Sequence, residues 1–356
     1  MKHKSKMLEK KSNIHPVIKF LKYFPTIAKN VSTSSSAKII GNSNIKKNTK
    51  IFDNVIIRGD GEKIEIGENC LFKKRSTVHV ASDLLGTKIG NNCIIEQYSI
   101  IHACFIGNNV KVGENSVVMD GSTIGDYSVI LPDTLIPPGK KFDRFSLISG
   151  SPAKLIRNID TNYYNNFNDL KSKSNFRFNE YLKKININFQ SIKVDKNNTF
   201  IAPDVLIGCN IFTEPNSSIW FSTVLHSPDN KGSVYLGSGS NIQDNSIFNT
   251  KGKDINIGDR VTIGHNVIID GKCRIYNNAV IGMGSVLEEN CIVEKNAFVG
   301  ANSYVKKNTV IPEGKIYAGN PAKFFRDVSQ QEKEFFSLGQ KIYEKLTLEY
   351  LKNSYD

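Results

Sequence analysis

The stretch IGHNVIID, residues 263–270, places an imidazole and a carboxylate one strand-length apart. Both side chains, His265 and Asp270, are of types that bind divalent metal ions. Two further histidines, His79 in RSTVHV and His102 in IIEQYSIIHAC, also follow aliphatic residues. A single histidine on a turn is usually plain polar surface. Whether any of these histidines does chemistry therefore depends on the elements that position it.

An aliphatic residue recurs every six positions through most of the chain, and this period decides the fold. In the second half the repeated positions are Ile257, Ile263, Ile269, Ile275, Ile281, Leu287, Val293, Val299, Val305 and Ile311. In the first half they form the runs Ile39, Ile45, Ile51, Ile57; Ile66, Phe72, Val78, Leu84; Ile89, Ile95, Ile101; and, after a one-residue slip, Ile106, Val112, Val118, Ile124, Ile130, Ile136. A period of six is neither helical nor simple strand alternation. It is typical of short strands joined by turns into a triangular coil, with Asn or Gly at the turns. The sequence therefore predicts an all-β protein built from left-handed parallel β-helices.

Two tandem β-helices are expected, because both halves close on a similar segment. LISGSPAKLIRNI (147–159) and IYAGNPAKFFRDV (316–328) share the pattern G-x-P-A-K-x-x-R. The predicted organisation is a basic tail over 1–38, a β-helix over 39–159, a linker over 160–198, a β-helix over 199–328 and a C-terminal segment over 329–356. In this last segment a capping box at Ser329 to Glu332 predicts an amphipathic helix over 330–352, with its apolar face packed along the C-terminal β-helix. Its apolar positions are Phe335, Leu338, Ile342, Leu346 and Tyr350.

The net charge of +13 comes mostly from the first 50 residues, which hold twelve lysines and a single acid, Glu9. The folded body therefore shows no basic face that would indicate nucleic-acid binding. The tail has the composition of a transit peptide, which predicts a mitochondrial protein, with a disordered tail of a cytoplasmic protein as the alternative. No apolar run suggests a transmembrane segment, and six scattered cysteines are expected to be reduced and buried.

The C-terminal half resembles the γ-class carbonic anhydrase family through SIWFSTVL, SNIQDNSIF, IGDRVTIGHN and AVIGMGSVLEEN, between residues 218 and 290. The resemblance implies a trimer-like assembly of β-helices that binds zinc or iron through three histidines, two from one subunit and one from the next. Of these three positions this half keeps His265, while Asn249 and Asp270 stand at the other two. Gln243 and Asp244, a pair that supports the family's site, are retained.

The N-terminal half resembles the same family more loosely, through VIIRGDGEKIEIG, RSTVHV and IIEQYSIIHAC. The resemblance assigns His79 and His102 as the two ligands that come from one subunit, and Arg58 and Asp60 as supporting residues. The middle histidine is replaced by Gln97.

The two halves have lost complementary residues. If they pack side by side, one contact rebuilds a composite metal site from His79, His102 and His265, with Arg58, Asp60 and Gln243 in catalytic roles. If each half instead assembles only with its own kind, the sets are His79, Gln97, His102 and Asn249, His265, Asp270. Simpler interpretations stay open: Arg58 and Asp60 form only an intersubunit salt bridge, and Gln243 and Asp244 only satisfy backbone donors.

Four functions are compatible with these resemblances. The first is a carbonic anhydrase-like enzyme that hydrates carbon dioxide with zinc or iron. The second is a structural subunit with an eroded site, as in the γ-carbonic-anhydrase module of mitochondrial respiratory complex I, in a homo- or hetero-oligomer or a large protein complex. The third is an adaptor, because IIRGD, CLFKKRSTV and VILPDTLIPPGK resemble the small hexapeptide-repeat subunit at the dynactin pointed end. The fourth is a hexapeptide acyltransferase, although the loop that carries the catalytic histidine of such enzymes is not visible here.

Overall fold

The structure, a computed structural model, describes residues 16–172, 194–195, 198–228 and 231–352. Two left-handed parallel β-helices make up almost all of it, as the six-residue period predicts. The first fifteen residues of the expected tail and most of the expected linker lie outside the described residues. Among the described residues, no helix combines the length and the hydrophobicity that crossing a membrane requires.

The first β-helix is built from two sheets, one of which bends around a corner and forms two of the three faces. Its strands on the first two faces are Val17–Ile18, Thr26–Ile27, Lys38–Ile45, Ile56–Ile66, Thr77–His79, Thr87–Ile89, Ile100–His102, Phe105–Ile106, Val117–Val118, Thr123–Ile124, Leu135–Ile136 and Lys141–Phe142. Those on the third face are Ser32–Thr33, Lys50–Ile51, Leu71–Phe72, Ile94–Ile95, Lys111–Val112, Val129–Ile130, Ser146–Gly150 and Ala153–Asn158. Pairing is parallel throughout, except for the antiparallel hairpin formed by the last two strands. The ladder thus begins at Val17, inside the segment that the sequence assigned to a tail, because Val17 and Ile18 pair with Ile39 and Ile40.

The second β-helix has three separate sheets, one for each face. Its strands are, face by face, Val194–Asp195, Asn210–Thr213, Ser233–Leu236, Ile255–Ile257, Arg274–Ile275, Ile292–Val293 and Val310–Ile311; Phe200–Ile201, Ser218–Ile219, Asn241–Ile242, Thr262–Ile263, Val280–Ile281, Phe298–Val299, Lys315–Gly319 and Ala322–Asp327; and Leu206–Gly208, Val224–His226, Ile247–Asn249, Ile268–Asp270, Val286–Leu287 and Tyr304–Val305. It also ends in an antiparallel hairpin.

The repeated aliphatic residues form one stacked core inside each β-helix. Nearly all are fully buried, and each such side chain contributes about 1.5–3 kcal/mol by leaving water. All six cysteines are buried and carry free thiols, as expected. The place given to Leu84 in the repeated core is wrong, because its side chain is 68% exposed. The reason is a small loop closed by the bridge between Ala81 and Leu85, which interrupts the coil at this point.

Two helices complete the described structure, α1 (Thr161–Asn166) and α2 (Gln330–Lys352). The bounds of α2 confirm the predicted helix, and it lies on the strands Phe200–Ile201 and Ser218–Ile219 of the second β-helix. Its buried face is Gln340, Tyr343, Leu346, Thr347 and Tyr350. The expected burial of Phe335 and Leu338 is wrong, since they are 63% and 48% exposed. The buried residues begin at Gln340, whereas in the first half of the helix Phe336 packs on Phe298, with ring centroids 4.9 Å apart.

The two β-helices lie side by side with their axes parallel and their coils level. Asn245 donates to Thr77, Asn266 to Tyr98 O and Asn302 to Asp133 O, at sequence separations of 168, 168 and 169. A constant separation means that coils at equal height in the two halves contact each other. Asn266 makes three contacts of this kind, because its amide also donates to Arg75 O and accepts from Thr77 Oγ1.

Replacement of Asn266 by glycine is expected to lower the free energy of unfolding by about 2–4 kcal/mol, because it removes the side-chain donor to two buried carbonyls and the acceptor of the buried Thr77 hydroxyl. Asn290→Gly is the matched control. Asn290 has the same left-handed backbone conformation, with φ of 65° against 55°, but it bonds only to the exposed Asn308. Urea unfolding of both variants measures the difference, and equal losses would contradict the assigned interface.

Candidate metal centre

Three histidines from three different coils meet where the two β-helices touch. His79 and His102 end the adjacent strands Thr77–His79 and Ile100–His102 and stand opposite each other in the ladder. In-register residues of neighbouring parallel strands project in the same direction, so both rings leave the first β-helix at one corner. His265 comes from the turn after Thr262–Ile263 in the second β-helix and enters from the other side.

The spacing of the ring nitrogens fits a single metal ion. His79 Nδ1 lies 3.2 Å from His102 Nε2 and 3.2 Å from His265 Nε2, and all three atoms lie within 4.8 Å of one another. Tetrahedral zinc with bonds of about 2.0–2.1 Å places its ligand nitrogens roughly 3.3 Å apart. Among the described residues this is the only such cluster of histidine, cysteine and carboxylate side chains. The convergence predicted from the sequence is therefore what the structure shows, and it occurs within one chain.

Each of the three rings is backed by its own carboxylate. His79 Nε2 lies 3.1 Å from Asp60 Oδ1, His102 Nδ1 lies 2.6 Å from Asp120 Oδ1, and His265 Nδ1 lies 3.0 Å from Asp244 Oδ2. A carboxylate at one ring nitrogen favours the tautomer that carries its proton there, so the other nitrogen is free to ligate. In all three cases the free nitrogen is the one that faces the other two rings.

A buried arginine connects two of these carboxylates across the two β-helices. The Arg58 guanidinium pairs with Asp60 through Nη1 and with Asp244 through Nε, the latter at 3.1 Å. Its Nη2 donates to the hydroxyl of Tyr343 at 3.0 Å, and its flat face lies 4.3 Å from the ring of Trp220. The side chain is fully buried. Arg58 and Asp60 are thus placed at the cluster, as predicted, but behind the histidines rather than among them.

Gln243 is buried and has no described contact with the three histidines. Its amide donates to Asn241 at 3.2 Å, and it is the neighbouring Asp244 that reaches Arg58 and His265. The catalytic role expected for Gln243 stays a prediction.

Electrostatics keep the imidazoles in the form that binds metal. Burial lowers the pKa of His265 to about 4. Burial and, to a smaller extent, the Arg58 guanidinium lower the pKa of His79 well below its usual value. Burial alone would raise the pKa of Asp244, but Arg58, His265 and His79 together outweigh it and hold that pKa below its usual value. At neutral pH, His79 and His265 are therefore neutral and Asp244 is ionised, which is the state that metal binding requires.

The equivalent corner of the second β-helix holds an ion pair instead. Asn249 and Asp270 stand opposite each other in the ladder there, as His79 and His102 do in the first half. The ammonium of Lys251 lies 2.6 Å from Asp270 Oδ2. In the first half, Gln97 donates to Glu114 on its own β-helix. The alternative sets Asn249, His265, Asp270 and His79, Gln97, His102 require contacts between chains and stay predictions.

Sequence reasoning missed Asp120, Trp220, Tyr343 and Tyr350. Asp120 follows His102 by 18 residues, and Asp60 precedes His79 by 19, so a search for carboxylates one coil away from each histidine could have found it. The two tyrosines lie on α2, outside the repeat, and no spacing in the sequence relates them to the histidines.

Comparisons with known proteins identify relatives of this chain. Residues 18–178 match the family model of dynactin subunit 5, and residues 290–311 match a hexapeptide repeat of succinyl-transferase. Gamma carbonic anhydrase 3, mitochondrial, of Arabidopsis thaliana is 44% identical over 47% of this chain and 67% of its own length. A probable carbonic anhydrase of Methanocaldococcus jannaschii is 42% identical over 38% of this chain and 84% of its own length. The chain spans 57–67% of the length of three such Arabidopsis proteins.

A solved structure resembles the whole chain. The crystal structure of a putative acetyltransferase from Desulfovibrio desulfuricans aligns with 94% of this chain and 83% of its own, with a TM-score of 0.58 at 12% identity. At that identity the likeness shows the fold alone.

The metal-free protein is expected to lose stability as the pH falls from about 6.5 to about 4. Unfolded histidine takes up a proton near pH 6.5, whereas folded His265 resists protonation down to about pH 4, so the unfolded state is favoured by up to about 3 kcal/mol across this window. In His265→Asn that part of the loss should disappear. Urea unfolding at several pH values in the presence of a chelator measures it, and identical pH profiles for both proteins would be the contrary result.

Proposed function

We propose that this chain, which belongs to the γ-class carbonic anhydrase family, binds one zinc or iron ion at His79, His102 and His265 and hydrates carbon dioxide there. The observation that carries the proposal is the 3.2 Å spacing of ring nitrogens contributed by both β-helices. Relatives of this chain are named as carbonic anhydrases, and the site here has the donor set that such chemistry needs.

The residues of the chain prepare the site in three ways. The three imidazoles supply neutral nitrogen donors at tetrahedral spacing. The carboxylates of Asp60, Asp120 and Asp244 fix the ring tautomers and raise the basicity of the donor nitrogens. When bound, zinc or iron supplies a Lewis acid and makes hydroxide available near neutral pH.

The asymmetry of the chain limits it to one such site. A trimer of identical subunits would repeat the site at each contact, but here the second corner holds the Lys251–Asp270 ion pair. We propose that the two β-helices occupy two places of a trimer-like arrangement. The predicted partner for the third place is a further β-helix or a larger protein complex. The names of the Arabidopsis relatives and the basic residues at the start of the chain support a mitochondrial location.

Purified without chelator, the protein is expected to contain about one equivalent of zinc or iron per chain. His79→Ala and His265→Ala should both lose it, because each removes one of three ligands from a different β-helix. Asp270→Asn, at the corner that holds the ion pair, is the matched control and should retain the metal. Elemental analysis of the purified proteins measures the content. A metal-free wild type, or loss in Asp270→Asn alone, would refute the composite site.

Carbon dioxide hydration should follow metal content. Stopped-flow assays with a pH indicator are expected to show catalysis in the wild type and in Asp270→Asn, and only the uncatalysed rate in His79→Ala and His265→Ala. A metal-loaded wild type without activity would contradict the proposed reaction while leaving the metal site intact.

A non-catalytic adaptor is the second candidate, and the match of residues 18–178 to the family model of dynactin subunit 5 favours it. A protein of this kind needs the β-helices and their mutual contact but no metal. Metal content therefore separates the two candidates.

A further inference from the structure

The second half of helix α2 lies over the back of the metal centre and directs two tyrosine hydroxyls into it. Tyr350 OH donates to Asp60 Oδ2 at 2.9 Å, and Tyr343 accepts from Arg58. We propose that Tyr350 is a positioning residue for the metal site, and this proposal rests on the function proposed above. Through Asp60 it fixes the ring of His79, so that docking of α2 and metal affinity depend on each other.

The Asp60 carboxylate leaves His79 little freedom. One oxygen, Oδ1, faces His79 Nε2 at 3.1 Å. The other, Oδ2, receives the hydroxyl of Tyr350 and the guanidinium of Arg58 together. Two donors at one oxygen restrict the rotation of the carboxylate. The orientation of the carboxylate in turn sets the direction in which Oδ1 meets the imidazole. Removing the tyrosine donor leaves Arg58 alone to hold Asp60, and Arg58 is also shared with Asp244.

The hydroxyl of Tyr350 is itself held in place. Its ring is 1% exposed and lies among aromatic rings of both β-helices: 4.7 Å from Phe20 of the first, and 4.9 Å from both Phe200 and Trp220 of the second. A ring fixed on three sides delivers its hydroxyl to one point. The geometry of the metal centre therefore depends on whether α2 is packed across the junction of the two β-helices.

A coupling between two binding events is reciprocal. If a seated helix strengthens metal binding, metal must strengthen the seating of the helix by the same factor. Outer partners of metal ligands typically change affinity by about 10–100-fold. Tyr350 acts through one further residue, so a change of about tenfold is expected.

The test compares Tyr350→Phe with Thr347→Val in the full-length protein. Tyr350→Phe keeps the ring packing and removes only the hydroxyl. Thr347 is equally buried on the same helix, but its hydroxyl donates to Tyr343 O within the helix and not to the site. Zinc affinity is measured by competition with a chromophoric chelator, and the visible spectrum is recorded with saturating cobalt(II). Urea unfolding of the metal-free proteins confirms that both variants are folded.

Zinc affinity about tenfold weaker in Tyr350→Phe, a shifted cobalt spectrum, and wild-type values for both in Thr347→Val support the positioning role. Wild-type affinity and spectrum in Tyr350→Phe overturn it, as does an equal loss in both variants, which would reflect helix stability only. If the wild-type protein binds neither metal, the proposed metal site itself fails, and this result is distinct from the other two.

Discussion

The structure depends on the neutralisation of one buried charge. Arg58 has no access to water, and burying a guanidinium is costly unless close partners compensate its charge. Those partners are Asp60, on its own β-helix, and Asp244, on the other. Because Arg58 pairs with a carboxylate on each β-helix, it holds the two halves of the chain together with their coils at the same height. It also places a carboxylate behind His79 and another behind His265. Loss of either carboxylate would leave the arginine with one anionic partner instead of two, and breaking a buried ion pair typically costs about 3–5 kcal/mol. The same interaction thus closes the domain contact and orients two of the three rings.

A β-helix suits this kind of site because it converts sequence distance into position. Residues one coil apart project from the same corner, so a rigid core of stacked aliphatic side chains presents His79 and His102 at nearly fixed spacing. A composite site then needs only a second β-helix at the correct height. The asparagine contacts set that height, and a short turn brings in His265. In a tandem chain each half is free to lose the residues that the other supplies. The corner of the second β-helix that no longer carries histidines holds the Lys251–Asp270 ion pair.

The repeat made most of the fold predictable from the sequence. The six-residue period determines the coils, and the coils determine that Arg58, His79 and His102 stack in register. What the repeat does not contain could not be predicted. Leu84 satisfies the period but lies in an excursion from the coil. Whether the halves pair within one chain depends on contacts between side chains more than 160 residues apart. The hydroxyl of Tyr350 reaches Asp60 only because a helix outside the repeat crosses the junction.

Extended X-ray absorption fine structure, measured at the metal edge of the purified protein, tests the central claim most directly. It reports the type and distance of the atoms that surround the ion. With zinc bound, three imidazole nitrogens at about 2.0–2.1 Å are predicted, with the outer scattering typical of histidine rings and no sulfur. A first shell containing sulfur at about 2.3 Å, or one built of oxygen without imidazole, would contradict a site formed by His79, His102 and His265.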